Sequence, residues 1–80
     1  MEDIFPLSKL EINEKGIVKK INIEGEFRRR LLDLGLIPDT EVTVLQKSPF
    51  GDPVAYLIRG AVIALRREIV DKILVERVLV

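Results

Sequence analysis

The chain has 80 residues, which is enough for one domain over residues 1–80 and too few for a second hydrophobic core. Its 13 basic and 13 acidic residues cancel, so the net charge provides no electrostatic attraction to nucleic acid or to an acidic membrane surface. Cysteine and histidine are both absent, which excludes disulfides, zinc–thiolate and iron–sulfur sites, thiol catalysis and the most common general base.

The start of the chain carries no targeting signal. Met1–Pro6 lacks the basic residues and the apolar core of a signal peptide. No apolar run approaches the roughly 20 residues that span a bilayer. We therefore expect a soluble, cytoplasmic protein.

The first elements along the chain are a lead-in and one strand. Ile4–Leu7 is expected to pin apolar side chains to the core. Residues 17–23 are rich in β-branched side chains, which favour strands. Their alternation breaks at Lys19 and Lys20, and a β-bulge there reconciles the two halves.

A short helix follows, because Phe27, Leu31 and Leu34 recur at the spacing of one apolar helix face. Gly35 comes directly after this face, where a left-handed residue ends a helix without a Cβ penalty. Pro38–Asp39 then predicts a turn, since proline fixes φ and aspartate bonds the backbone beyond it.

The second half of the chain predicts strands separated by turns. Arg59–Gly60 reads as a tight hairpin turn in which glycine supplies a positive φ, and Tyr56 is expected on the sheet's outer surface. The predicted elements are strands at 41–46, 54–58, 61–65 and 72–79 and a helical turn at 66–71. Five short strands with one helix after the first indicate a mainly β fold, a small and highly curved barrel whose closure removes most exposed edges.

Positive charge is most concentrated in the run Arg28–Arg30 and the pair Arg66–Arg67. Guanidinium groups bind carboxylates and phosphates bidentately, so a partner contact is one reading. The alternative for the run is a solvated helix face whose arginines pair with acidic residues one turn away. Arg66 and Arg67 either extend the patch or pair with Glu68 or Asp71.

Phe50 lies in the segment 47–53, whose two prolines and one glycine disfavour helix and strand and predict a loop. An aromatic side chain in such a loop either folds back over the open end of the barrel or is offered to a partner. The chain contains no glycine-rich phosphate cradle and no histidine to activate Ser8 or Ser48, so an enzyme is not expected. The aspartates lie at separate junctions between the predicted elements. A metal site built only from oxygen ligands remains an alternative, but no residue can be assigned as a ligand.

Four blocks resemble the FeoA family, the small cytosolic proteins of bacterial ferrous iron transport. They are residues 30–42 (RLLDLGLIPDTEV), 49–54 (PFGDPV), 59–68 (RGAVIALRRE) and 72–75 (KILV), in order and with family-like spacing. The same pattern occurs in the SH3-like C-terminal domain of DtxR-type metal-dependent regulators. One departure is Asp39, where the family commonly has glycine, and aspartate also tolerates a turn.

The resemblance implies a single SH3-like β-barrel domain without catalytic residues or cofactor. Its core would contain Leu31, Leu34, Val42, Val44, Ala64 and Leu65. The resemblance also implies an accessory role on the FeoB-type, GTP-dependent iron permease, with the cytosolic G-domain region as the partner surface.

On this reading the candidate partner contacts are Arg28, Arg29, Phe50, Arg66 and Arg67. The alternative function is a metal-sensing or regulator-associated SH3-like domain that binds a divalent metal ion or a transcription regulator. Self-association is a further expectation, because Val75, Val78, Leu79 and Val80 form an apolar C-terminal strand that can pair with a second copy.

Overall fold

The computed structural model describes residues 3–79 as a curved antiparallel sheet with two short helices. The strands are β1 (Ile4–Pro6), β2 (Lys15–Ile21), β3 (Glu41–Lys47), β4 (Val54–Ile58), β5 (Ala61–Leu65) and β6 (Ile73–Val78). The helices are α1 (Glu26–Asp33) and α2 (Arg67–Val70), and a 3₁₀ turn covers Leu7–Lys9. Neither α-helix in this part of the chain combines the length and the hydropathy needed to cross a bilayer.

The six strands form one open sheet in the order β1-β6-β2-β3-β4-β5. The prediction of a mainly β fold with a short helix is confirmed, although the helix follows the second strand rather than the first. The predictions of five strands and of a closed barrel are wrong, because β1 and β5 do not pair with each other and the lead-in is itself a strand. Phe5 of β1 pairs with Val75 of β6, near the other end of the chain.

Strand β6 occupies an interior position between β1 and β2. Val75 of this strand is fully buried, and it has a partner on each side, Phe5 of β1 and Val18 of β2. The prediction of pairing with a second copy is therefore wrong for Val75, whereas β1 does not extend to Val78 or Leu79, for which it stays a prediction. Val80, which belonged to the same prediction, lies outside the described residues.

Two β-bulges bend the sheet around its core. The register between β2 and β6 shifts between Val18 and Lys20, where the broken alternation predicted a bulge. The register between β3 and β4 shifts between Val44 and Gln46. Because a bulge bends its strand and increases the local twist, these two positions give the buried face its concave shape.

The end of α1 is closed by a Schellman motif. The Leu36 amide donates to the Leu31 carbonyl at 2.9 Å, and the Gly35 amide donates to the Leu32 carbonyl at 3.0 Å. Gly35 has a φ of 100°, which glycine adopts without strain, and a Cβ there would stand 2.6 Å from Cδ of Arg59, so the arginine side chain would have to move. Leu31 and Leu36 are both buried, as the hydrophobic contact of this motif requires.

The core is almost entirely aliphatic, with one tyrosine at its centre. It consists of Leu7, Leu10, Val18, Ile21, Ile23, Leu31, Leu36, Val42, Val44, Val54, Tyr56, Ile58, Leu65, Val70, Ile73 and Val75. Leu34 was predicted in the core but is 46% exposed, because the chain reverses at Gly35 and Leu36 enters the core instead. Ala64 is also exposed, since it alternates with the buried Leu65 on the outer face of β5.

Tyr56 was predicted on the outer surface, but its side chain is only 1% exposed. It shares the inner face of β4 with Val54 and Ile58. Burial, followed by the negative charges of Asp52 and Asp71, raises the pKa of Tyr56 from 10.0 to about 12. The folded protein therefore favours the neutral phenol at a pH where the unfolded chain ionises it.

Ionisation of Tyr56 should couple folding to alkaline pH. Because the folded pKa is raised, the stabilisation is complete below pH 10 and is lost as the pH rises through about 12. The loss should reach about 3 kcal/mol at most, since each pKa unit corresponds to about 1.4 kcal/mol. Tyr56 is the only tyrosine and tryptophan is absent, so ultraviolet absorbance reports this group alone.

Tyr56→Phe is the matched variant, since it removes the titrating group and keeps the ring in the core. Its unfolding free energy should fall less steeply than that of the wild type between pH 10 and 12. Titration of Tyr56 near pH 10 in a protein that is still folded would contradict this assignment.

Candidate partner-binding surface

Phe50 projects from a structured loop between β3 and β4. The Gly51 amide donates to the Ser48 carbonyl at 2.8 Å, and the Ser48 amide donates to the Pro53 carbonyl at 3.2 Å. Gly51 has a φ of 84°, a conformation that glycine adopts without strain. The loop, residues 48–53, leaves Phe50 97% exposed, so of the two alternatives the structure has the outward one.

Asp52 ties this loop to the start of α2. Its Oδ1 accepts a hydrogen bond of 2.8 Å from the backbone amide of Arg67, the first residue of the helix. Its Oδ2 lies 3.8 Å from Nη1 of Arg66. A carboxylate at this position satisfies an amide that has no partner inside the helix and interacts favourably with the helix dipole.

The same contacts bring three of the five predicted contact residues to one region. Val54, at the start of β4, pairs with Leu65, at the end of β5, so the Phe50 loop and the Arg66–Arg67 pair meet at one end of the sheet. Between Arg67 and the loop lies a cleft of about 280 Å³, lined also by Gly51 and the buried Tyr56. This region combines one exposed aromatic ring with two exposed guanidinium groups.

The ion pair of Arg66 differs from the alternatives that the sequence offered. Within residues 3–79, its carboxylate partner is Asp52 rather than Glu68 or Asp71. Asp71 instead accepts a hydrogen bond from the Ser8 hydroxyl. Sequence reasoning missed the part played by Asp52, which lies 15 residues before Arg67 and carries no signal beyond its position in a turn.

Arg28 is a half-buried residue that holds α1 against the end of β2. Its Nη1 donates to the carbonyl of Ile21 at 2.7 Å and to the carbonyl of Ile23 at 3.4 Å. Lys20, Lys72 and Glu24 line the same open depression, so Arg28 shares this surface with two lysines and one acidic residue. Arg29 is exposed on the helix.

Four of the five predicted residues therefore fall into two groups, and the fifth, Arg29, is exposed on α1. Arg66 and Arg67 lie at the start of α2, where Asp52 connects them to the loop that carries Phe50, whereas Arg28 lies beside Lys72, just beyond the end of α2. Lys72 was not among the predicted contacts, because an isolated lysine at a strand start has no distinguishing sequence signal. Residues 3–79 contain no cluster of three or more acidic side chains placed to hold a metal ion.

Comparison with known proteins identifies related sequences. The family model described as the FeoA domain matches residues 5–77. The chain is 37% identical over 70 residues to the Fe(2+) transport protein A/Fe(2+) transporter FeoB fusion protein of Porphyromonas gingivalis. This match covers 88% of the chain and only 8% of the fusion protein.

Solved structures share the fold. FeoA from Chlorobium tepidum superposes with a TM-score of 0.89 and 32% identity, over 94% of this chain and 71% of that chain. The zinc complex of FeoA from Stenotrophomonas maltophilia, described as a prokaryotic SH3 domain protein, gives a TM-score of 0.78 and 25% identity, over 89% and 88% of the two chains. A manganese-dependent transcriptional repressor is similar in fold alone, with a TM-score of 0.84 at 19% identity over 98% of this chain and 44% of its own.

Alanine substitutions at Arg28 and Arg29 should differ in their effect on stability, because Arg28 makes structural contacts and Arg29 is exposed. Arg28→Ala removes two charge-assisted hydrogen bonds to carbonyls and should destabilise the fold by about 1–2 kcal/mol. Arg29→Ala is the matched control on the same helix and should change the free energy of unfolding by less than about 0.5 kcal/mol. Urea denaturation measures both, and equal effects would contradict the anchoring role of Arg28.

Proposed function

The chain belongs to the FeoA domain family, and on that premise we propose that it is an accessory module of ferrous iron transport that docks on a FeoB-type, GTP-dependent permease. The observation that carries this proposal is the Porphyromonas gingivalis fusion protein. Its name joins transport protein A and the transporter FeoB, and a sequence similar to this chain forms a small part of it. A covalent link keeps two domains at a high effective concentration, which is useful when they act together.

The Phe50 loop has the properties of a docking element. Burying one phenylalanine side chain stabilises a protein or a complex by about 1.5–3 kcal/mol. Because Phe50 is almost fully exposed in the free protein, nearly all of this free energy is available for binding. The loop is already ordered by its two internal hydrogen bonds and by Asp52, so binding pays little of the usual ordering cost. An apolar socket on the permease would receive the ring.

Arg66 and Arg67 would supply the charged rim of this interface. Both are exposed beside the Phe50 loop, and only Arg66 has an ion-pair partner among the described residues. Rim charges mainly raise the association rate and select partners of opposite charge. We propose an acidic area next to the apolar socket, on the cytosolic G-domain region of the permease, from which docking would modulate GTP hydrolysis or gating.

Metal sensing is the second candidate function. It is favoured by the zinc complex of the Stenotrophomonas maltophilia protein, which is 25% identical to this chain. The chain has neither histidine nor cysteine, and residues 3–79 contain no acidic cluster of three, so this candidate ranks lower. Calorimetric titration with ferrous iron under anaerobic conditions discriminates the two, because stoichiometric micromolar binding would favour sensing.

Phe50→Ala should weaken binding to the purified permease at least about 30-fold, as expected for an aromatic anchor at the centre of an interface. The melting temperature should not change, because the ring packs on nothing in the free protein. Leu79→Ala is the matched control, since Leu79 is another apolar residue that is 84% exposed. Affinity is measured with the permease in lipid nanodiscs, with and without a GTP analogue.

The control should bind as the wild type does in both nucleotide states. Full affinity of Phe50→Ala in both states would show that the loop is not the docking element. If the wild type binds in neither nucleotide state, the permease is rejected as the partner.

A further inference from the structure

Strand β5 is an unprotected edge of the sheet. Among residues 3–79 its only strand neighbour is β4. All five of its residues, Ala61–Leu65, are aliphatic, and no charge or proline interrupts them. The opposite edge, β1, is three residues long and ends in Pro6, which are two ordinary ways of discouraging further strand addition.

The hairpin register identifies which main-chain groups are free. Ile58 and Ala61 flank the two-residue turn and form the first hydrogen-bonded pair of the hairpin. Hydrogen-bonded and non-hydrogen-bonded pairs alternate along an antiparallel ladder, so Ile63 also bonds inward to β4. The amide and carbonyl groups of Val62 and Ala64 therefore point away from the sheet.

The side chains on this edge suit another aliphatic strand. Val62 is 67% exposed and lies opposite Leu57 on the outer face of the sheet. Ile63 is half-buried at the margin of the core on the inner face. An added strand with apolar side chains on both faces would cover Val62 on one side and Ile63 on the other.

Charge argues against a second copy of this chain as the occupant. An antiparallel pair of β5 strands that uses all the free groups places Val62 opposite Ala64, and it brings the turn that contains Arg59 towards Arg66–Arg67 of the other copy, just beyond the end of its strand. Twofold symmetry repeats this juxtaposition, and Arg66 adds to it at both ends. Asp52 offsets only one of these charges in each copy.

We propose that the β5 edge accepts an extended aliphatic segment of a partner protein, flanked on both sides by acidic residues, as an added antiparallel strand. The main-chain groups of Val62 and Ala64 supply the hydrogen bonds. Arg59 at one end and Arg66–Arg67 at the other select the acidic flanks. This inference does not depend on docking through Phe50, and any partner with such a segment satisfies it.

The test uses two synthetic peptides that differ only in their flanks. Both have the same short aliphatic centre of valine and isoleucine, and the ends carry glutamates in one and lysines in the other. The glutamate peptide should bind the full chain at least about tenfold more tightly, because its flanks meet arginines. It should also slow hydrogen exchange at the amides of Val62 and Ala64, as followed by NMR.

Two variants make the result specific. Ala64→Pro removes one outward amide, a change that edge strands tolerate, and should abolish binding of the glutamate peptide. Arg67→Glu keeps the strand intact and should reduce the preference for the glutamate peptide over the lysine peptide by at least about tenfold. The second variant tests the proposal even when the first one folds poorly.

Three results would overturn the proposal. They are equal affinity for the two peptides, no exchange protection at Val62 and Ala64, or a wild-type dimer that Ala64→Pro dissociates, which would make a second copy the occupant. None of these results bears on permease binding, which is measured with Phe50→Ala and the permease itself.

Discussion

The two β-bulges are the constraint on which the rest of this structure depends. An 80-residue chain with few aromatic side chains has to enclose an aliphatic core with one sheet, and a flat sheet would leave that core open on one side. The register shifts after Val18 in β2 and after Val44 in β3 bend the sheet around the core residues. The curved sheet stays open in residues 3–79, and β5 has β4 as its one strand neighbour there.

Local features of the fold were predictable because neighbouring residues specify them. The hairpin with its turn at Arg59–Gly60 has the predicted strand bounds, and both turn residues adopt positive φ values. Gly35 ends α1 as predicted, with the left-handed conformation that the motif requires. The bulge at Lys19 and Lys20 was visible as a break in the alternation of β2. In each case, the signal and the structure lie within a few residues of each other.

Features that depend on contacts between distant residues could not be predicted from the sequence. Strand β1 is too short to show a period of two, and its partner β6 lies at the far end of the chain. Tyr56 is buried because it lies on the inner face of β4 with Val54 and Ile58, and the continuous apolar run of this strand does not show which face is the inner one. At the candidate site, the arginines and Phe50 could be nominated from composition, whereas the Asp52 contact that unites Phe50 with Arg66 joins two separate turns.

The central claim is that this member of the FeoA domain family acts by presenting a preformed loop to a transport protein. The most direct test is photo-crosslinking in the native host, with a photoreactive phenylalanine analogue in place of Phe50 and, as a separate control, in place of Leu79. The account predicts a covalent product with the ferrous iron permease from position 50 and none from position 79. A permease product from position 79 alone, or from neither position, would contradict it.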